Sequence, residues 1–286
     1  MYIPDEIRKC VVFVALEMAN GEKRLVGTAW LLSRPIEGTN EVFLYIVTTR
    51  HVIDGIRSKG LNKVFLRLNH SSGNAVWYET DLERWLFHPS DAGVDVAVLK
   101  DAIPPEADHL HVPIALLMTP SLLIEKEIGI GDDVFLVGLF AHHAGENKNI
   151  PIVRVGNIAA MPEEPVNTRA LGRIDAYLIE ARSIGGLSGS PVFVHMGSAR
   201  QRRSGVTFGP SGPLFYLIGM MHGHWDGVLT DVDQLTTRER EIEKVNMGIG
   251  IVVPIEKVLA IINQPSVLEQ ERQVAEIRRR EADRAR

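Results

Sequence analysis

The feature that most restricts the fold is the punctuation of the chain. Short apolar runs at residues 11–16, 26–32, 42–48, 63–68, 76–81, 95–99, 134–138, 152–160, 176–181, 191–195, 215–221 and 248–253 are rich in Val, Ile, Leu, Phe and Tyr, and most are bounded by Gly, Pro, Asn, Asp or Ser. Runs of this length and β-branched content read as strands. Many short strands with frequent turn signals favour a barrel or sandwich over a helix-rich α/β fold. Two clusters of strands are separated by residues 101–131, which contain Pro104, Pro105, Pro113 and Pro120. Proline has no N–H to give a central ladder, so this stretch reads as a connection. Residues 196–213 read as a long hairpin loop, and 226–246 as a long segment that is either a lid or exosite beside the cleft or a surface excursion with a short helix at 237–244. Beyond Pro254 the pattern becomes helical, with Val258, Leu259, Ile261 and Ile262 on one docking face. A second helical stretch, 270–286, alternates Glu with Arg and is charged nearly all round. Such a face is either solvated or partner-binding.

Charge and cysteine usage narrow the classes further. With 31 Lys plus Arg against 36 Asp plus Glu among 286 residues, the formal net charge is −5, which argues against binding a nucleic-acid backbone. Cys10 is the single cysteine, so no intramolecular disulfide staples the fold, and a reducing compartment is the simpler expectation. Arg8 and Lys9 precede the apolar run 10–16, but Asp5 and Glu6 spoil a basic leader and Glu17 ends the run early. A buried strand is expected there in place of an export signal. No apolar run approaches the ~20 residues of a membrane helix. The expectation is a cytoplasmic chain with no membrane partner.

Three motifs carry chemistry. Val47-Thr48-Thr49-Arg50-His51-Val52 delivers a histidine at a strand end, Val94-Asp95-Val96 places an aspartate at the start of an apolar strand, and Gly185-Gly186-Leu187-Ser188-Gly189-Ser190-Pro191 sets a glycine-flanked serine before another strand. Each alone is weak. Together they run His, Asp, Ser with separations of 44 and 93 residues. Chymotrypsin has that order with separations of about 45 and about 93, whereas subtilisin and the α/β-hydrolases use other orders. Asp91 is a competing acid, but it sits in the turn Pro89-Ser90-Asp91-Ala92-Gly93. His142-His143 and the pair His222 and His224 invite a metal reading. No Cys or Asp/Glu cluster completes a tetrahedral set beside them, so neither metal nor cofactor is expected.

With these motifs the chain resembles the trypsin-like (chymotrypsin-fold) serine peptidases over roughly residues 11–262, nearest to disulfide-free bacterial and viral members such as the glutamyl endopeptidases and heat-stress proteases. Val26-Gly27-Thr28-Ala29-Trp30-Leu31 is similar to the family's strand before the histidine, Gly131 to Gly138 to the strand opening the second barrel, Ile218-Gly219-Met220-Met221-His222-Gly223 to the strand after the serine, and Gly248 to Ile255 to the closing strand. The resemblance implies an all-β fold of two antiparallel six-stranded β-barrels with a C-terminal helix. Residues 1–112 would form the N-terminal barrel carrying His51 and Asp95, 113–254 the C-terminal barrel carrying Ser188, and 255–286 the helix and charged tail. It further implies a serine endopeptidase acting on protein or peptide substrates through an acyl-enzyme. His51 would be the base, Asp95 its orienting acid and Ser188 the nucleophile, with the backbone N–H groups of Gly186 and Ser188 as oxyanion hole.

Substrate-binding residues are expected at Arg182, six positions before the serine, and at His222, Gly223 and His224 along the pocket wall; a cationic lining there would prefer an acidic side chain. The chain departs from the secreted digestive enzymes at Leu187, where they carry an acid that receives a new N-terminus, so activation by N-terminal insertion is not expected. Restraint would come from narrow specificity or from a regulatory partner or oligomer engaging the C-terminal helix. The competing expectations are a protease-fold binding or regulatory module with little hydrolysis, and an esterase built on the same triad.

Overall fold

The computed structural model describes residues 1–168, 172–181, 186–197, 199–202, 205–208, 212–228 and 244–284. Its first unit contains β1 (Val11–Glu17), β2 (Lys23–Pro35), β3 (Val42–Thr48), β4 (Lys63–Asn69), β5 (Ala75–Asp81), β6 (Leu86–Phe87), β7 (Ala97–Lys100) and β8 (Val112–Pro113). They pair in the order β5-β4-β1-β2-β3-β7-β6, with β8 added in parallel to β2. The second unit is a closed barrel in the order β10-β13-β18-β17-β14-β9, made of β9 (Asp133–Gly138), β10 (Ile152–Ala160), β13 (Tyr177–Glu180), β14 (Pro191–His195), β17 (Phe215–Val228) and β18 (Lys244–Pro254). Two hairpins project from it, β11 (Val166–Thr168) with β12 (Gly172–Ile174), and β15 (Ala199–Arg202) with β16 (Gly205–Phe208). The helices are α1 (Asp5–Arg8), α2 (Arg50–Arg57), α3 (Pro120–Glu125), α4 (Ile255–Ile262) and α5 (Pro265–Arg284). This is the expected all-β architecture with a C-terminal helix, consistent with the chymotrypsin-like arrangement. In detail the second unit closes with six strands, while the first is an eight-stranded sheet.

Why the strands read as continuous apolar runs becomes clear from their two faces. Along β1, Val11 and Phe13 enter a core shared by both units, while Val12, Val14 and Leu16 enter a core private to the first. On β9, Phe135 and Val137 join the shared core, and Val134 and Leu136 fill the second barrel. A strand buried on both faces has no polar face to alternate with. Phe135 and Phe193 stack with centroids 5.0 Å apart and Phe215 meets both edge-on, fixing the centre of the shared core. Helix α4 closes that core with Val258, Ile261 and Ile262 of the expected stripe and with Ile255, while Leu259 is only partly buried against it.

Several boundaries differ from the sequence reading. The hairpin loop 196–213 contains its own ribbon, β15 and β16. Strands β17 and β18 run past the expected ends and pair as far as Val228 with Lys244, and the short helix expected at 237–244 falls largely outside the described residues. Helix α5 begins at Pro265, because proline's missing N–H costs nothing in a first helical turn. Nor is α5 a wholly solvated rod. Glu271 is buried and pairs with Arg34 at 2.7 Å, Arg278 with Glu41 at 3.2 Å, and Arg279 donates to the Glu37 carbonyl at 2.8 Å, tying α5 to the first sheet. Among the described residues no helix is long and apolar enough to cross a membrane.

Candidate active site

His51 is the second residue of α2, not the last of a strand. Thr49 turns the chain from β3 into the helix, and Val52, Ile53 and Ile56 bury one face of it. That i, i+1, i+4 spacing was visible in the sequence but short enough to be masked by the preceding strand. Placing His51 in a first turn leaves its backbone N–H without an intrahelical partner. Asp95 supplies one: Oδ1 accepts from His51 N at 2.8 Å, and Oδ2 accepts from His51 Nδ1 at 2.7 Å. One carboxylate therefore holds both the backbone and the ring of the histidine. Arg50 adds a clamp, donating to the Ala92 carbonyl at 3.0 Å, so the helix start and the loop before Asp95 are fixed together. Asp95 itself lies two residues ahead of β7, and Asp91 is an exposed turn residue that accepts from Gly93 N at 2.8 Å.

The serine turn is built on glycines for steric reasons. Gly186 and Gly189 have φ of 100° and 87°, a region that side chains disfavour. A Cβ on Gly189 would also lie 2.0 Å from the Thr28 carbonyl oxygen. Leu187 is fully buried in the core of the second barrel, so the position before the serine is filled by packing where a carboxylate would need a partner. Gly189 N donates to the Met221 carbonyl and Met221 N to the Ser190 carbonyl, both at 2.8 Å, which pins the turn to β17.

Thr28 connects this turn to the first sheet, a role the sequence reading missed. Its Oγ1 donates to the Gly186 carbonyl at 2.7 Å and accepts from Leu139 N at 2.9 Å, while its N–H donates to the Ser188 carbonyl at 2.9 Å. Thr48 Oγ1 in turn donates to the Thr28 carbonyl at 2.7 Å. The available signal was a threonine in an otherwise apolar buried strand, since a buried hydroxyl needs partners.

His222 was expected on the wall of a specificity pocket. Its imidazole is turned instead onto Asp95, with Nδ1 in hydrogen-bond contact with Oδ2. The side chain is 9% exposed, against 32% for His51 and 0% for Asp95. Gly223 stands in β17 opposite Ile251, and His224 opposite Gly250. The side chain of His224 and all of Arg182 lie outside the described residues. Among the described residues, His51, Asp95 and His222 are the one group with metal-ligand chemistry, their ligating atoms within 4.8 Å of one another. In the hydrogen-bonded arrangement both Nδ1 atoms are engaged with the carboxylate.

Burial is the largest single influence on Asp95 and opposes its ionisation. The hydrogen bonds from His222 and His51, with their positive charge when protonated, together outweigh it and hold the carboxyl below its ordinary value. Burial pushes the Cys10 thiol up to about 12, so the lone cysteine is no nucleophile at neutral pH. The Ser188 hydroxyl donates to the His222 carbonyl at 3.2 Å. It has one proton, so general-base attack requires it to turn from that carbonyl toward His51. A cavity of about 830 Å³ opens beside the turn, lined by Gly186 and Ala141 together with Leu16, Leu25, Val26 and Leu61.

No family model matches the chain, and no curated protein matches it. Similar solved structures include Deg5, 15% identical with 89% of this chain and 88% of that one covered at a TM-score of 0.48. Another is the inactive form of a serine-to-alanine mutant of Rv3671c from M. tuberculosis H37Rv, 15% identical with 91% of this chain and 90% of that one covered at a TM-score of 0.45. The functional reading therefore rests on the site itself.

Proposed function

We propose that this protein is a serine endopeptidase that cleaves peptide bonds through an acyl-enzyme. The observation that carries the proposal is the double engagement of His51 by the buried Asp95, at 2.8 Å to the backbone and 2.7 Å to the ring, with the glycine-built turn of Ser188 joined to the same carboxylate through His222. A carboxylate on Nδ1 leaves the Nε2 lone pair free to accept a proton. Ser188 Oγ attacks the substrate carbonyl carbon as its proton passes to His51 Nε2. The imidazolium, stabilised by Asp95, then gives that proton to the leaving amine and the C–N bond breaks. Water repeats the sequence on the acyl-enzyme, releasing a carboxylic acid and restoring the Ser188 hydroxyl. The N–H groups of Gly186 and Ser188 are the proposed oxyanion donors, each worth about 2.7–4 kcal/mol of transition-state stabilisation.

On this reading residues 1–112 supply the base and acid, 113–254 supply the nucleophile, and 255–286 supply the closing helices. Protein or peptide is the substrate, and His224, Gly223 and Arg182 remain proposed for the pocket. A regulatory partner or second copy at the free face of α5 supplies restraint, and a truncation lacking 270–286 tests that through activity and oligomeric state.

A second reading, a binding or regulatory module with little hydrolysis, draws on the Ser188 hydroxyl being engaged by a carbonyl. Fluorophosphonate labelling separates the two. The endopeptidase labels at Ser188 and loses both labelling and peptide cleavage as Ser188→Ala. A folded protein that does not label, or a Ser188→Ala variant that cleaves like the parent, overturns the proposal. Comparing ester with peptide substrates distinguishes an esterase.

A further inference from the structure

We propose that His222 is a positioning residue for the catalytic carboxylate: a second, buried imidazole that acts through Asp95 rather than on the substrate. The inference rests on the acyl-transfer reading above and assigns a new role within that site. Three contacts converge on this one residue. Its Nδ1 meets Asp95 Oδ2, the same oxygen that serves His51 Nδ1. Its ring stands edge-on to that of His51, with centroids 5.4 Å apart at 81°. Its carbonyl accepts the resting hydroxyl of Ser188 at 3.2 Å. Nucleophile, base and acid are thus all touched by His222, from a position far less exposed than that of His51.

Chemistry separates the two imidazoles. Each must carry its proton on Nδ1 to donate to the ionised Asp95. His51, the more exposed ring, is placed to exchange a proton with a substrate. His222 contributes by fixing the carboxylate's rotation and by sharing its negative charge. Without it, Oδ2 keeps one imidazole donor, turns more freely about its side-chain torsions, and concentrates its attraction on His51. Asp91 in the preceding loop, Arg173 on β12, Asp175 after it and Lys257 on α4 line one cavity with Asp95. Lys257 and Asp175 pair at 2.9 Å, and among the described residues the hydrogen bonds to the Asp95 carboxylate come from His51 and His222.

The test compares the full-length parent with H222M, which fills the space without a donor, and H222N, which restores an N–H. The proposal expects H222M to lose roughly 10–100-fold in kcat, the scale of losing an outer partner that orients the carboxylate and not the reacting imidazole itself, with KM little changed. The acid limb of its kcat/KM profile moves to higher pH, and H222N recovers part of kcat and returns the limb toward that of the parent. A rise in KM at constant kcat would make His222 a pocket-wall residue and overturn the proposal, as would an unmoved acid limb. Should H222M not fold, proton NMR of the parent decides. Two low-field imidazole N–H resonances are expected, with H222N losing one, and a single such resonance in the parent refutes the arrangement. Failure of the parent to label with fluorophosphonate is a separate result, which removes the acyl-transfer reading and this inference with it.

Discussion

Replacing Thr28 by valine isolates the link between the two units without leaving a hole, because the side chains are nearly isosteric. Thr28 is fully buried, and its hydroxyl is both donor to the Gly186 carbonyl at 2.7 Å and acceptor from Leu139 N at 2.9 Å. Valine leaves the buried Leu139 N–H and the half-buried Gly186 carbonyl without that partner. A buried polar group stripped of its hydrogen bond costs about 1–3 kcal/mol and the half-buried carbonyl adds less, so a cost of about 1–4 kcal/mol is expected. The two losses have different consequences. The Leu139 bond is a matter of stability, whereas the Gly186 carbonyl belongs to the peptide that precedes Leu187 and the serine. T28V is therefore expected to unfold at lower urea and, at denaturant-free conditions where it remains folded, to react more slowly with fluorophosphonate. T28S keeps the hydroxyl and is the control: it loses a methyl worth about 0.8 kcal/mol and labels at the parent rate. A T28V variant as stable as the parent would refute the accounting of Thr28 as a buried hydrogen-bond hub. A destabilised T28V that labels at the parent rate would show that the hydroxyl supports the fold but not the serine turn.

Asp95→Asn is expected to lower kcat by roughly 10⁴-fold, as for the corresponding change in chymotrypsin-type triads, with the fold retained. Because the folded state holds the Asp95 carboxyl below its ordinary value of 3.8, its ionised form adds stability that is complete above that value and is lost as pH falls below it. The gap in unfolding free energy between parent and D95N should shrink from pH 5 to pH 3, and a constant gap would contradict the assignment. Glu271→Ala removes the partner of Arg34, whose side chain is 16% exposed against 6% for Glu271. A cost of about 2–3 kcal/mol is expected in thermal or urea unfolding, below that of breaking a fully buried pair because Arg34 keeps some water and its contacts to Ile262 and Asn263. An unchanged stability would mean that the ion pair does not anchor α5.

Much of the fold was legible because burial on both faces turns a strand into a continuous apolar run, as in β1, β3 and β9. The misreadings have local causes. Helix α2 is only eight residues and starts within two residues of a strand, so its period had little room to register. Strands β6 and β8 are two residues each, too short for any pattern. The α5 boundary moved because its first residues pack through Val267 against the shared core, a contact with no signature in local composition.

By itself the sequence determined the all-β class, the turn at Ser188 and the order of the three chemical residues, because strand periodicity, glycine's left-handed backbone and residue spacing are written locally. Tertiary structure decided the geometry among them. Asp95 meets His51 across 44 residues and His222 across 127, and Thr28 reaches Gly186 across 158. The first pairing follows from β3 lying beside β7 within the first sheet, and the other two from how the two units pack on a shared core. For that reason His222, which the linear pattern placed against a substrate, is found holding the acid.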